Sequence, residues 1–140
     1  MRVLIVASHN RGFFSAFVIE QAKALEQAGV VMDYFGITGS GWWGYLNMRN
    51  KLMNKIESFK PDIIHAHYGL SGALACMQST VPVVTTFHNG ETHHWYINLI
   101  SSFFSLRAKH VIYVAQHIRD LLYFKAPKYS ILPCGVNATT

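Results

Sequence analysis

Charge is scarce in this sequence: 14% of its 140 residues are Asp, Glu, Lys or Arg, and only 7 of them are acidic. With 51% apolar residues, that composition excludes a disordered or highly charged tail. Cysteine is nearly absent. Cys76 and Cys134 lie far apart with no CxxC between or around them, which excludes a zinc knuckle or a dithiol redox motif. Both are read as reduced and buried, as in a cytosolic protein. Long apolar runs are missing too. The run 3–7 is too short for a secretory core and is followed by Ser8-His9-Asn10-Arg11 rather than by small residues. The run 97–106 reaches ten residues broken by serines, about half a membrane span. A cytoplasmic chain is therefore expected, at most peripheral at the inner face of a membrane. The loop after the first strand carries a single glycine, Gly12, and is not GxGxxG, so the nicotinamide-dinucleotide fingerprint is not read there; HExxH is missing from the sequence, so the zinc-protease motif is not present.

What is present is alternation. Short β-branched runs at 2–7, 30–35, 63–67, 82–87, 110–114 and 129–132 read as strands. Between them, helices are expected over 14–28, 45–59, 70–77, 92–106 and 116–124, with 36–44 as a glycine-rich loop or a short edge strand at most. Strands alternating with helices predict an α/β fold, a doubly wound Rossmann-like parallel sheet with helices on both faces. The length suits a single domain.

In such a sheet ligands bind beyond the carboxyl ends of the strands. The first loop, Asn10-Arg11-Gly12, opens a helix whose free N–H groups suit an anion. His67-Tyr68-Gly69 follows the third strand, and His88-Asn89-Gly90-Glu91 follows the fourth. His67, Tyr68, Gly69, Asn89, Gly90 and Glu91 join Asn10, Arg11 and Gly12 as candidate substrate-binding residues, with His88 at the mouth as the candidate catalytic group. His65 and His67 are read as turning to opposite faces of their strand, hence not as a pair. His93 and His94 are adjacent and diverge on a helix, so no metal site is expected beside His88 and Glu91. Trp42 and Trp43 precede a helix with an apolar stripe and the basic residues Arg49, Lys51 and Lys55. That combination suits a membrane or acceptor surface, although the stripe also fits simple packing on the sheet. The net charge of +5 is compatible with anionic ligands or an anionic lipid surface, but the basic residues are too scattered for nucleic acid.

Three segments in order carry a resemblance. They are Pro61-Asp62-Ile63-Ile64-His65-Ala66-His67, then Pro82-Val83-Val84-Thr85-Thr86-Phe87-His88-Asn89-Gly90-Glu91, then Pro133-Cys134-Gly135-Val136-Asn137. They resemble the PDxxHxH, PxVxTxHGxD and PNGVD patterns of the N-terminal half of GT-B glycosyltransferases, of the retaining family 4 type. His88 matches the motif histidine. Asn89 stands for the usual glycine, Glu91 for aspartate, Cys134 for asparagine and Asn137 for aspartate. The first loop departs most, with one glycine where the family has a pair.

The resemblance implies transfer of a sugar from a nucleotide-sugar donor to a glycan or lipid-linked acceptor, with retention and without a metal or other cofactor. It implies that this domain, 1–140, holds the acceptor, that a separate C-terminal domain binds the donor, and that His88 faces the donor sugar. The chain is then half of an enzyme, inactive alone. Its high apolar content predicts a surface that meets a partner domain or a membrane, or that self-associates. A free-standing flavodoxin-like binding or regulatory module is the alternative. A phospho-receiver domain is disfavoured, because no acidic cluster follows the first strand.

Overall fold

The computed structural model describes residues 1–9, 14, 16–39, 41–88 and 95–132. The elements run β1 (Arg2–Ser8), α1 (Ala16–Gln27), β2 (Val31–Ile37), α2 (Gly41–Leu46), α3 (Arg49–Phe59), β3 (Ile63–His67), α4 (Gly69–Ala75), β4 (Val83–Phe87), α5 (Trp95–Ser105), β5 (His110–Tyr113), α6 (Gln116–Leu121) and β6 (Tyr129–Ile131). The six strands form one sheet in the order β2-β1-β3-β4-β5-β6, and every pair is parallel. The doubly wound Rossmann-like sheet expected from the alternation is the fold that forms.

Strand order and handedness decide which face each helix covers. The chain steps from β1 outward to β2, then returns past β1 to β3 and proceeds in one direction to β6. Right-handed crossovers therefore put α1 on one face and the later helices on the other. The packing agrees. Val3, Ile5 and Ala7 of β1 cluster with Val18 of α1, whereas Leu4 and Val6 cluster with Leu52 of α3 and Leu70 and Leu74 of α4. Farther along that second face, Phe87, Val111 and Tyr113 pack with Ile118 and Leu122. Beyond α1, no described helix lies over β3, β4 and β5 on the first face. A groove of about 440 Å³ opens there, with Leu25 of α1 on one side and His65, Val84 and Ile112 on its floor.

Two boundaries differ from the sequence expectation. The segment 36–44 is not a loop throughout, because β2 continues to Ile37 and α2 begins at Gly41. The single helix expected over 45–59 breaks at Asn47-Met48, and α3 starts at Arg49. The end of α3 is as expected. Lys60 adopts a left-handed conformation (φ 54°), donates its N–H to the Ile56 carbonyl (2.8 Å), and hands the chain to Pro61.

Candidate functional site

The reversal of strand order lies between β1 and β3, so the crevice expected to hold a ligand opens above their carboxyl ends. His9 leaves β1 there, Tyr68 leaves β3, and His88 leaves the adjacent β4. Gly36 makes room at this edge: a Cβ built on it would lie 2.6 Å from the His9 Cβ. The His9 ring then packs on Phe14 (4.7 Å between centroids), and Phe14 on Tyr34 (5.4 Å).

The centre of the site is a stack of imidazoles. His65 and His67 do not turn to opposite faces; their ring centroids lie 4.4 Å apart. Side chains alternate along a strand, so residues two apart share a face. Register brings in the rest. His67 pairs with Thr86 of β4, and His88, two residues beyond Thr86, continues on the same face. His67 Nδ1 and His88 Nε2 share a hydrogen bond (3.3 Å), and His65 Nε2 and Thr86 Oγ1 share another (2.8 Å). The Tyr68 ring covers His88 on its other side, 4.6 Å between centroids. His67 and His88 are buried, at 0% and 7% exposure. Burial pushes His65 down to about 4. It also pushes His88 down to about 4, with the His65 charge acting in the same direction. His67 is driven well below its usual value by burial and by both neighbouring rings. At neutral pH all three are uncharged rings, each able to donate from one nitrogen and accept at the other.

Tyr68 is the strained element. Its φ of 79° and ψ of 149° lie where only glycine is comfortable. The constraint comes from both ends: its N–H donates to the Thr86 carbonyl (2.9 Å), and its carbonyl accepts from Gly72 N–H at the first turn of α4 (3.0 Å). Such strain costs about 1–3 kcal/mol and gathers at functional turns. Tyr68→Gly is accordingly expected to be more stable than Tyr68→Ala by about 1 kcal/mol in urea melts, the reverse of the ordinary order. Equal stabilities would show that the turn carries no strain.

The other expected residues divide. Asn10, Arg11, Gly12, Asn89, Gly90 and Glu91 lie outside the described residues, as do His93, His94 and the segment 133–137 with Cys134. Gly69 is buried under α5, where a Cβ would come 2.6 Å from Ser101 and 2.8 Å from Phe87. A side chain at this position is excluded by the close approach of α5 and β4. Among the described residues no three His, Cys, Asp or Glu side chains are placed to hold a metal ion; the imidazoles stack instead of converging. Cys76 is a free, buried thiol, and burial pushes it up to about 11.

The tryptophan surface is only partly as expected. Trp43 is 79% exposed, while Trp42 packs against Phe104 of α5 (6.0 Å). Leu52 and Tyr45 are buried, and Met48, Met53, Ile56 and Phe59 pack on the core, so the apolar stripe is spent on the sheet. Arg49 and Lys51 are exposed. Lys55 is engaged across the fold with Asp33 of β2 (2.5 Å). Sequence reasoning missed His65 as a member of the stack. The signal was the His-x-His spacing on a strand, together with His88 two residues beyond the residue that pairs with His67.

The family model for Glycosyltransferase Family 4 matches residues 2–140. A sucrose-phosphate synthase from Thermosynechococcus elongatus is similar in structure, with a TM-score of 0.76 and 14% identity over 97% of this chain and 48% of that one. MurG from Acinetobacter baumannii is similar with a TM-score of 0.66 and 16% identity over 97% of this chain and 46% of that one. The chain thus spans about half the length of the solved structures it matches. No curated protein sequence matches it.

Proposed function

The chain belongs to glycosyltransferase family 4, and from that premise we propose that it forms the acceptor-side half of a retaining, hexosyl-transferring enzyme. The donor is a nucleotide-sugar held by a second, C-terminal domain. The acceptor is a glycan or a lipid-linked saccharide, in the cytoplasmic assembly of a polysaccharide or lipid-linked glycan. The reading assigns no metal or other cofactor.

One observation carries it: uncharged imidazoles and a strained tyrosine gather at the carboxyl end of β3 and β4, beside the strand-order reversal. Sugars are neutral and rich in hydroxyls. An imidazole that stays uncharged at pH 7 can accept from one hydroxyl while donating to another atom, whereas an imidazolium can only donate. His88, whose ring lies between His67 and Tyr68, is assigned the position facing the reacting sugar. Tyr68, whose ring covers His88, orients it. Asn10, Arg11, Gly12, Asn89, Gly90 and Glu91 complete the acceptor loops in this reading.

Transfer requires donor and acceptor to be held together in one closed cleft. The full-length enzyme is therefore expected to transfer sugar from one member of a panel of nucleotide-hexoses, with the anomeric configuration of the donor kept in the product. The 140-residue chain by itself should give no turnover. Transfer by the short chain alone would overturn the half-enzyme reading. Flavin binding without transfer by the full-length protein would favour the flavodoxin-like alternative, whose strand order β2-β1-β3-β4-β5 is contained in this sheet.

A further inference from the structure

Helix α5 carries apolar residues on two sides: Ile97, Ile100 and Phe104 pack on the core, and a second apolar row faces outward. A helix lying on a sheet ordinarily buries its apolar face and exposes its polar one. Here Asn98, Ser101, Ser102 and Ser105 are buried, while Trp95 (67%), Tyr96, Leu99 and Phe103 (52%) are exposed. Close packing explains the inward serines. Gly69 and Ser101 bring α4 and α5 so near that no larger side chain fits between them. The hydroxyls of Ser102 and Ser105 donate to their own helix, to the carbonyls of Asn98 and Ser102 (2.6 Å each). The outward apolar row follows from no packing need of this domain.

The row is widened and held rigid from the side. Asn98 donates to the Leu121 carbonyl (2.8 Å) and accepts from the Tyr123 N–H (3.0 Å). That pins the end of α6 against α5. Leu121 and Tyr123 are each 55% exposed, and Phe124 meets Phe103 edge to face at 5.7 Å. Exposed aromatics of two elements thus form one surface.

The chain from α5 onward is mostly basic. Between residues 92 and 140 the sequence has five basic residues, Arg107, Lys109, Arg119, Lys125 and Lys128, against the single carboxylate of Asp120. Asp120 accepts from Gln116 Nε2 (2.9 Å). Arg107, Lys109, Lys125 and Lys128 are exposed.

We infer that the outer face of α5, with residues 121–124 beside it, docks on an anionic lipid surface. Tryptophan and tyrosine favour the boundary between headgroups and acyl chains. A basic surround adds attraction to anionic lipid. The inference goes beyond the proposed reaction, and lipid binding is measured without it. It also relocates the membrane contact expected at Trp42 and Trp43 to the neighbouring helix, on which Trp42 packs.

The test is co-sedimentation of the protein with vesicles of phosphatidylcholine alone and of phosphatidylcholine with phosphatidylglycerol. Binding is expected to the anionic vesicles and to be weaker by tenfold or more on the neutral ones. The double variant Leu99→Ser, Phe103→Ser should lose at least tenfold in binding with its far-ultraviolet dichroism unchanged. Arg107→Glu with Lys109→Glu should lose the anionic preference by about fivefold for each charge removed, and this pair carries the test if the first does not fold. Lys23→Glu, on α1 across the sheet, should bind as the parent does. Equal binding to both vesicles, or unchanged binding by both double variants, overturns the inference. So does a dimer by light scattering that Leu99→Ser, Phe103→Ser dissolves while no vesicle binds; the face would then belong to a second copy of this chain.

Discussion

Acidification from pH 7 to pH 4 is expected to remove most of the stability of this fold, with the imidazole stack responsible. His65 and His88 titrate near 4 in the folded chain, His67 titrates well below its usual value, and in the unfolded chain all three return to about 6.5. Between those values the unfolded chain binds protons that the folded chain refuses, so stability rises with pH. The contribution is complete above pH 6.5 and is lost as pH falls toward 4. Shifts of this size correspond to about 3 kcal/mol for each of His65 and His88, against a total of about 5–15 kcal/mol for a typical domain. The hydrogen bond between His67 and His88 adds a geometric reason. It needs one ring nitrogen to donate and the other to accept, and two imidazoliums would present N–H to N–H. Asp33 does not account for this window. Burial raises its carboxyl, but the hydrogen bond from Lys55 and that from the Tyr34 N–H bring it below 3.8, so its share of stability is lost only in stronger acid. Urea melts from pH 7 to pH 4 should show a steadily falling free energy of unfolding, and His65→Gln should flatten the fall. A free energy that stays level from pH 6.5 to 4.5 would mean that the imidazoles ionise without cost in the folded state.

How much of this was legible in the sequence depended on whether local pattern and tertiary packing agreed. The runs of β1, β3 and β4 are rich in β-branched and apolar residues and mostly buried, so the strands stand out. Helix α2 was not legible. Its Gly-Trp-Trp-Gly start has little helix propensity, and the glycines serve a close approach instead, since a Cβ on Gly44 would meet the Gly39 carbonyl carbon at 2.7 Å. The break at Asn47-Met48 was hidden because the apolar stripe of Tyr45, Leu52 and Ile56 continues across it. In α5 the serines looked like interruptions of an apolar run, yet they are buried on its inward side, beside Ile97, Ile100 and Phe104. Propensity cannot reveal that, because the requirement for small residues comes from α4. In the site, the positions of His67, Tyr68 and His88 at the strand ends were legible from the alternation alone. Their assembly with His65 was not, because it depends on the register between β3 and β4.

That assembly shapes the largest effect expected on activity. In the full-length enzyme His88→Asn should lower kcat by about 10²-fold, the scale of one positioned polar group at a reacting centre. Asn keeps a donor and an acceptor but is too short to sit where the imidazole edge sits. The ring itself is held by its contacts with His67 (3.3 Å) and Tyr68 (4.6 Å between centroids), so the variant also loses packing. A truncation at a buried site costs on the order of 2 kcal/mol. Activity must therefore be expressed per folded molecule, from melts run beside the assay. Removal of a buried neutral ring has a second consequence: the fall in stability between pH 6.5 and 4 should become shallower in the same variant. If kcat per folded molecule is unchanged while the acid dependence flattens, His88 belongs to the architecture of the stack and the reacting sugar lies elsewhere. If kcat falls by about 10²-fold and the acid dependence flattens as well, one ring both supports the fold and faces the substrate.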